Sequence, residues 1–597
     1  MNVVAERINR LREVMKSEGA DWYLITSDDY HTSEYVSDFF KVREYYTGFT
    51  GDNAYLLLNG EKALMWTDGR FFIQADKELK DTGVELMKMA TDGYPSLTEY
   101  IEKNIKNGEK LYFDGRTVST SLGKQIGEIL EKNGASSVSD KDLAGDLWDG
   151  RPALPSGKVW HLSLEEAGES FADKLKRTKA KVSEEGCNSL FIAKLDDIMW
   201  LTNLRGDDIV CNPVALSYMM ITEKENVLFL QESETTEEIR EYLSKEGIEV
   251  RSYDDVIGYL SELSSEYKVL VDEGAINYAS YLAVNRNAKS VNRPNPTTYL
   301  KAVKSAAELK NIREITILDS VCVTKFAYWV KKNIGKIEIT ELSAAEKMDG
   351  LRREVEGYLD LSFPTIAGYG ENAAMMHYSA TPESFAVCKP EGLLLVDSGG
   401  QYRKGTTDVT RTFVLGPISD EVKMHFSKVA AGMLRLANVK FLYGCTGRNL
   451  DIIARMPLWE QGIDYKCGTG HGVGYILNVH EGPHGIRWAY NPRVKEAVFE
   501  EGMIVSDEPG VYIEGSHGIR TENVIECVKR EKNSDGQWMG FEHLTYTPID
   551  RDALDKKYLT KEDVALIDAY HEAVYEKTAK FLTEEERAWL YEVTRPL

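Results

Sequence analysis

EGLLLVDSGGQYRKGTTDVTRTFVLG, residues 391–416, reads as two strands joined by a reversal. The apolar run Leu393, Leu394, Leu395 and Val396 has the length of a buried strand and delivers Asp397 at its end. Ser398-Gly399-Gly400 and Lys404-Gly405 are turn chemistry, which predicts a hairpin or a wide loop. The return strand is expected over 406–415. It is rich in β-branched residues and carries Asp408, eleven positions after Asp397. Two carboxylates on paired strands can point into one space, where like charges repel and burial is costly unless a partner or a cation is present. The pair therefore implies a shared proton or a metal.

Downstream segments supply further ligands. His471 lies in Cys467-Gly468-Thr469-Gly470-His471-Gly472-Val473-Gly474, where the glycines allow close backbone approach and leave the imidazole unobstructed. Glu508 follows the apolar run 503–505 in Ser506-Asp507-Glu508-Pro509-Gly510, and Glu522 heads the strand expected over 523–528. Two Asp, two Glu and one His form a hard, oxygen-dominated set that suits Mn²⁺, Co²⁺ or Zn²⁺. Five ligands exceed what one tetrahedral ion requires, so two ions sharing carboxylates is the natural reading. Such a pair can hold a hydroxide between them and polarise a carbonyl, which is amide-hydrolysis chemistry.

The surrounding chain bounds what such a site can serve. Its 597 residues are too many for one core, and Lys+Arg 72 against Asp+Glu 96 leaves a net charge of −24. That surface opposes nucleic acid and anionic membranes. Seven scattered cysteines without CxxC spacing imply reduced thiols, and the charged N-terminus lacks the apolar core of a signal peptide. No stretch approaches a membrane span, so a cytoplasmic protein is expected.

In order, Ile8, Leu11, Val14 and Met15 predict an amphipathic helix ending at Gly19. A strand over 22–25, the segment Tyr45-Tyr46-Thr47-Gly48-Phe49-Thr50-Gly51, strands over 54–58 and 62–66, and a helix from 71 complete an α/β unit. A helix from Phe171 to near Gly186, a strand over 189–192, a second aromatic-Thr-x-x-Gly segment over 198–206, and strands over 215–221 and 227–230 repeat that order. Two related domains are therefore expected, with boundaries near Arg151-Pro152-Ala153-Leu154-Pro155 and Arg293-Pro294-Asn295-Pro296. One or two helices over 306–335 and another over 339–357 then lead to an antiparallel sheet flanked by helices. GGQYRKG lacks the Gly-Lys-Ser/Thr of a phosphate loop.

VDSGGQYRKGTTDVTRT, GTGHGVGYILNVHEGP, SDEPGVYIEGSHGIRTEN and LSFPTIAGYGENAAMMHYSA resemble the catalytic signatures of the aminopeptidase P (X-Pro aminopeptidase) family, whose pita-bread fold is shared with prolidase, creatinase and methionine aminopeptidase. EYYTGFTGDNAYLLLNGEKALMWTDGRFFIQADKEL and LDDIMWLTNLRGDDIVCNPVALSYMMI resemble the first and second domains of its long form, and FEHLTYTPID and TRPL its tail. The resemblance implies an α/β multidomain chain with two creatinase-like domains, residues 1–152 and 153–298. A pita-bread α+β catalytic domain with a C-terminal extension, residues 299–597, would follow.

By position it implies that Asp397 binds the second metal, Asp408 and Glu522 bridge both, and His471 and Glu508 complete the first site, with Glu508 also accepting a proton from water. His480 would stabilise the tetrahedral intermediate, His377 would contact substrate, and Arg520 and Tyr512 would orient Asp397. It further implies two divalent ions (Mn²⁺ above Zn²⁺ or Co²⁺), peptides with proline second, restricted to short or unstructured chains by the first two domains, and a homodimer through the C-terminal domain.

Two positions depart from the family. Cys467 stands where the long form generally has a histidine lining the proline pocket, and Cys211 in Val210-Cys211-Asn212-Pro213 stands where a histidine is common. A thiol does not titrate or donate as imidazole does, so substrate contacts and strict proline preference are open. Cys467 reads as pocket wall rather than nucleophile, having no activating base. His484, beside Gly482-Pro483, is not expected to ligate, and His425 and His543 read as structural. Prolidase-like or relaxed-specificity hydrolysis, and a peptide-binding module of the same fold, are the rival readings.

Overall fold

The structure, a computed structural model, describes residues 2–376, 378–490 and 496–597. It divides into two compact units, Met1–His161 with Ser170–Val210 and Val214–Thr297, and Leu162–Glu169 with Cys211–Pro213 and Thr298–Leu597.

The first unit contains two six-stranded sheets of one design. In the first, the order is Glu85–Lys88, Ala63–Thr67, Ala54–Asn59, Trp22–Thr26, Lys110–Phe113 and Ser136–Val138. In the second it is Glu249–Ser252, Asn226–Leu230, Ser217–Ile221, Ser189–Ile192, Lys268–Val271 and Lys289–Asn292. Each step across one sheet is parallel or antiparallel as in the other. The likeness reaches the turns. The aromatic-Thr segments form the helices Val42–Thr47 and Leu195–Thr202. In each, the closing threonine hydroxyl donates four residues back, Thr47 to the Arg43 carbonyl (2.8 Å) and Thr202 to that of Ile198 (2.7 Å). A left-handed residue then ends the helix, Gly48 at φ 71° and Asn203 at φ 56°, one of the few residues besides glycine that enters this region readily. The opening helix Val3–Glu18 buries Val4, Ile8, Leu11 and Met15 and stops at Gly19 as its spacing predicts.

The second unit is antiparallel in every strand pair among its described residues. The span 306–335 is one helix, Ala306–Asn333, opened by a Ser305–Glu308 capping box. A three-stranded sheet places Leu393–Ser398 between Ile366–Tyr369 and Val409–Val414. A six-stranded sheet runs Lys440–Leu442, Gly536–His543, Asn523–Asn533, Ile504–Asp507, Gly470–Gly472 and Glu481–Ile486.

The expected return strand over 406–415 is broken. Gly405–Thr406 and Val409–Val414 are separate, and Asp408 sits in the gap. The reason is a backbone crossing: the Thr407 amide and hydroxyl bond to Gly400, and a Cβ on Gly399 would lie 2.0 Å from the Thr407 carbonyl.

Arg352 locks this crossing from below. Its guanidinium grips Asp319 at 2.7 and 3.0 Å and donates to the Ser398 carbonyl at 3.2 Å, with neither side chain more than 3% exposed. Arg352→Met would leave Asp319 charged and buried, a loss on the order of 3–5 kcal/mol. A clearly lowered midpoint in chemical denaturation is expected, and an unchanged one would contradict this role.

Candidate metal centre

Each acidic residue reaches the site from a strand end. Asp397 closes Leu393–Ser398, Glu508 follows Ile504–Asp507, and Glu522 lies between His517–Arg520 and Asn523–Asn533. His471 is the middle residue of Gly470–Gly472. Gly470 is required there, because an added Cβ would sit 1.8 Å from the Ser506 carbonyl.

The structure brings the ligand atoms of Asp408, His471 and Glu522 within 4.8 Å of one another. His471 Nε2 lies 3.3 Å from Asp408 and 3.4 Å from Glu508. Its Nδ1 is 2.9 Å from the Gly472 carbonyl, which can only accept, so Nδ1 donates there and Nε2 is the nitrogen left facing the carboxylates. Burial opposes charge on His471, but the hydrogen bond its protonated Nε2 donates to Asp408 and the charges of Glu508 and Asp408 prevail and raise it to about 9.

Asp397 joins through a relay. Arg520 Nη2 donates to Asp397 Oδ2, Nη1 to Tyr512 Oη (2.7 Å) and Nε to Thr410 Oγ1 (3.0 Å). Thr410 Oγ1 in turn donates a hydrogen bond to Glu522 (2.7 Å). Asp397 Oδ1 is left buried with no protein partner. On the other side, Ser506 Oγ receives the His471 amide (3.0 Å) and donates to Glu508 (3.1 Å).

These observations fit a divalent-cation centre. A carboxylate oxygen without a donor and an imidazole nitrogen facing two carboxylates are both satisfied by a cation, which takes the place of the proton on that nitrogen. Burial, followed by the charges of Asp408, Glu508 and Asp397, pushes Glu522 well above the ordinary carboxyl range. Burial also raises Glu508, although His471 and Arg520 partly offset it.

The remaining expected residues distribute as follows. The His480 ring stands edge-on to His471 at 4.3 Å between centroids. The Cys467 thiol is pushed up to about 11 by burial and then by Glu508, which leaves it a neutral wall, while its carbonyl takes a bond from Arg455 (2.6 Å). Cys211, at φ 65°, accepts at its carbonyl from Gln401 (3.0 Å), and its thiol is buried. His484 bonds the Ile504 carbonyl (2.7 Å), away from any ligand role. His425 and His517 face each other at 2.9 Å, and His543 meets Asn523 at 3.1 Å. His377 lies outside the described residues.

Sequence reasoning missed Thr410, Ser506, Arg411 and Arg455. Only Arg411 left a trace, as a charge on the inward phase of an otherwise apolar strand. It is 2% exposed and donates to the carbonyls of Glu522 and Thr547 and to Tyr570 Oη (2.9 Å).

Four family models match the chain. The Creatinase/Prolidase N-terminal domain matches residues 7–144 and, in a second version, 150–308; Metallopeptidase family M24 matches 310–529 and the C-terminal region of that peptidase 537–597. The probable Xaa-Pro aminopeptidase P of Coprinopsis cinerea is 35% identical over 99% of this chain and 98% of its own length. Aminopeptidase P1 of Arabidopsis thaliana is 33% identical over 100% and 99%. The solved X-prolyl aminopeptidase of Caenorhabditis elegans, described as a cytosolic enzyme with a di-nuclear active site, superposes with a TM-score of 0.92 at 31% identity, covering 100% of both chains.

Raised carboxyls must give up protons to a cation, so metal binding should release protons and weaken as pH falls. Titration calorimetry of Mn²⁺ in two buffers of different ionisation enthalpy should give different heats at pH 7. Equal heats would exclude that proton displacement.

Proposed function

The chain belongs to the Xaa-Pro aminopeptidase P family of M24 metallopeptidases, and on that basis we propose a dinuclear-metal aminopeptidase that removes the N-terminal residue from short peptides with proline second. The observation that carries this reading is the convergence of Asp408, His471 and Glu522 on one space, with Glu508 and Asp397 tied to it.

His471 and Glu508 would hold one ion, Asp397 the other, and Asp408 and Glu522 both. Mn²⁺ is the ion best suited to four carboxylates and one imidazole. Bound there, two such cations would supply the Lewis acidity that amide hydrolysis by water requires. Glu508, raised by burial and hydrogen-bonded by Ser506, would be the proton acceptor for the attacking water. Arg520 holds Asp397 by Oδ2 and leaves its buried Oδ1 open. His480, edge-on to His471 at 4.3 Å, would donate to the developing oxyanion. Cys467 forms the wall where the departing proline packs. The thiol there supports a second reading, an aminopeptidase with relaxed preference at the second position.

Seven free thiols agree with a reducing, cytoplasmic setting. No helix among the described residues is long and apolar enough to cross a membrane. A homodimer through the catalytic unit is supported by the exposed aromatic pair Trp459 and Trp488, whose rings meet edge-on at 6.1 Å.

Mn²⁺-loaded protein should cleave Arg-Pro-Pro in preference to Gly-Pro and Ala-Ala-Ala, and chelation should remove the activity. Asp408→Ala should abolish turnover. Retained turnover there would refute the centre, while equal rates on Arg-Pro-Pro and Ala-Ala-Ala would favour the relaxed reading. Cys467→His should sharpen the discrimination between those two peptides, as read by the ratio of their kcat/KM values.

A further inference from the structure

Glu481 follows His480 directly and is almost wholly buried, yet it faces two ammonium groups. Lys301 Nζ is 2.9 Å from Oε2, and Lys304 Nζ donates to Oε1. The two lysines are themselves 2% and 1% exposed, and Lys304 also donates to the Lys301 carbonyl at 3.2 Å. Lysine is seldom buried this far, and apolar residues of similar volume generally replace such clusters without loss of stability. Stability alone therefore does not account for three buried charges at this place.

Their location does. Glu481 opens the strand Glu481–Ile486 and pairs with Gly472 where the ladder slips, one residue past His471. The strands already touch there, since a Cβ on Gly472 would meet the Glu481 carbonyl at 2.2 Å. Three residues on, His484 ties the same strand to Ile504, in the strand that leads to Glu508. Ahead of His480, Asn478 Oδ1 receives the His480 amide at 3.2 Å. The backbone is thus pinned on both sides of His480. A carboxylate gripped at both oxygens cannot rotate, so the residue beside it inherits a fixed direction. Burial alone would raise Glu481, but Lys301 and Lys304 outweigh it and hold the carboxyl below its usual range, ionised.

We propose that Lys301 and Lys304, acting through Glu481, are positioning residues that hold the His480 imidazole over the metal centre. This rests on the reading of His480 given above.

The test is a double-mutant cycle on Mn²⁺-loaded enzyme with Arg-Pro-Pro. Lys304→Met should lower kcat about 10- to 100-fold, the scale of a misplaced catalytic group, with KM and metal stoichiometry unchanged. Lys304→Arg should restore most of the loss. The decisive arm is His480→Ala combined with Lys304→Met, which should be no slower than His480→Ala alone. In metal-free protein, the His480 imidazole ¹⁵N resonance, identified by its loss in His480→Ala, should shift in Lys304→Met while those of His425 and His517 stay in place. Additive losses, or an unmoved His480 resonance, would overturn the positioning role and leave the function of the site standing. An unaltered kcat in His480→Ala alone would instead overturn the reading on which the proposal rests. Glu481→Gln, which keeps the side-chain shape, goes through the same cycle, so additive or non-additive losses are measurable even where Lys304→Met misfolds.

Discussion

Glu522 lies buried within reach of the charges of Asp408, Glu508 and Asp397, and the catalytic unit is built to keep these groups where they repel one another. Without that enforcement the carboxylates would turn outward to water, since crowding them opposes folding. With it, the only groups that relieve the repulsion are protons and cations. The fold thus stores a demand for positive charge at one point, and metal affinity is the expression of that demand.

Three arginines do the enforcing. Arg520 fixes Asp397, Arg411 holds the backbone of Glu522, and Arg352 clamps the end of the strand that carries Asp397. A planar guanidinium with several donors suits this task better than an ammonium, because it can bind two or three chain segments in one orientation. Threonine and serine hydroxyls fill the gaps: Thr410 spans Arg520 and Glu522, and Ser506 spans His471 and Glu508. None of these groups needs to touch substrate to matter to it.

What the sequence disclosed depended on how local the cause was. Asp397 could be read as a strand-end residue because the apolar run and the glycines beside it are contiguous. The duplication could be read because each copy repeats helix, strand and hairpin at short range, and the two sheets proved identical in order and direction. The break at Asp408 escaped, since Gly399 and Thr407 collide only after the chain has folded back. The mutual pairing of His425 and His517 joins residues 92 positions apart, and the grip of Lys304 on Glu481 spans 177. Periodicity carries no information at such separations. The five ligands were legible in their local sequence and the resemblance added His480, Arg520 and Tyr512, while Thr410, Ser506, Arg411 and Arg455 emerged from the coordinates alone.

Arg411 carries one further consequence. Three of its acceptors, the Thr547 and Pro548 carbonyls and the Tyr570 phenol oxygen, belong to the C-terminal extension, whereas its remaining bonds reach the carbonyls of Thr410 and Glu522 and the side chain of Asn523. A segment that contributes no metal ligand is therefore tied through Arg411 to the backbone of Glu522. Loss of the stretch from Thr547 to Tyr570 would strip Arg411 of these acceptors with every ligand residue still in the chain, so the metal centre depends on a segment that supplies it no ligand.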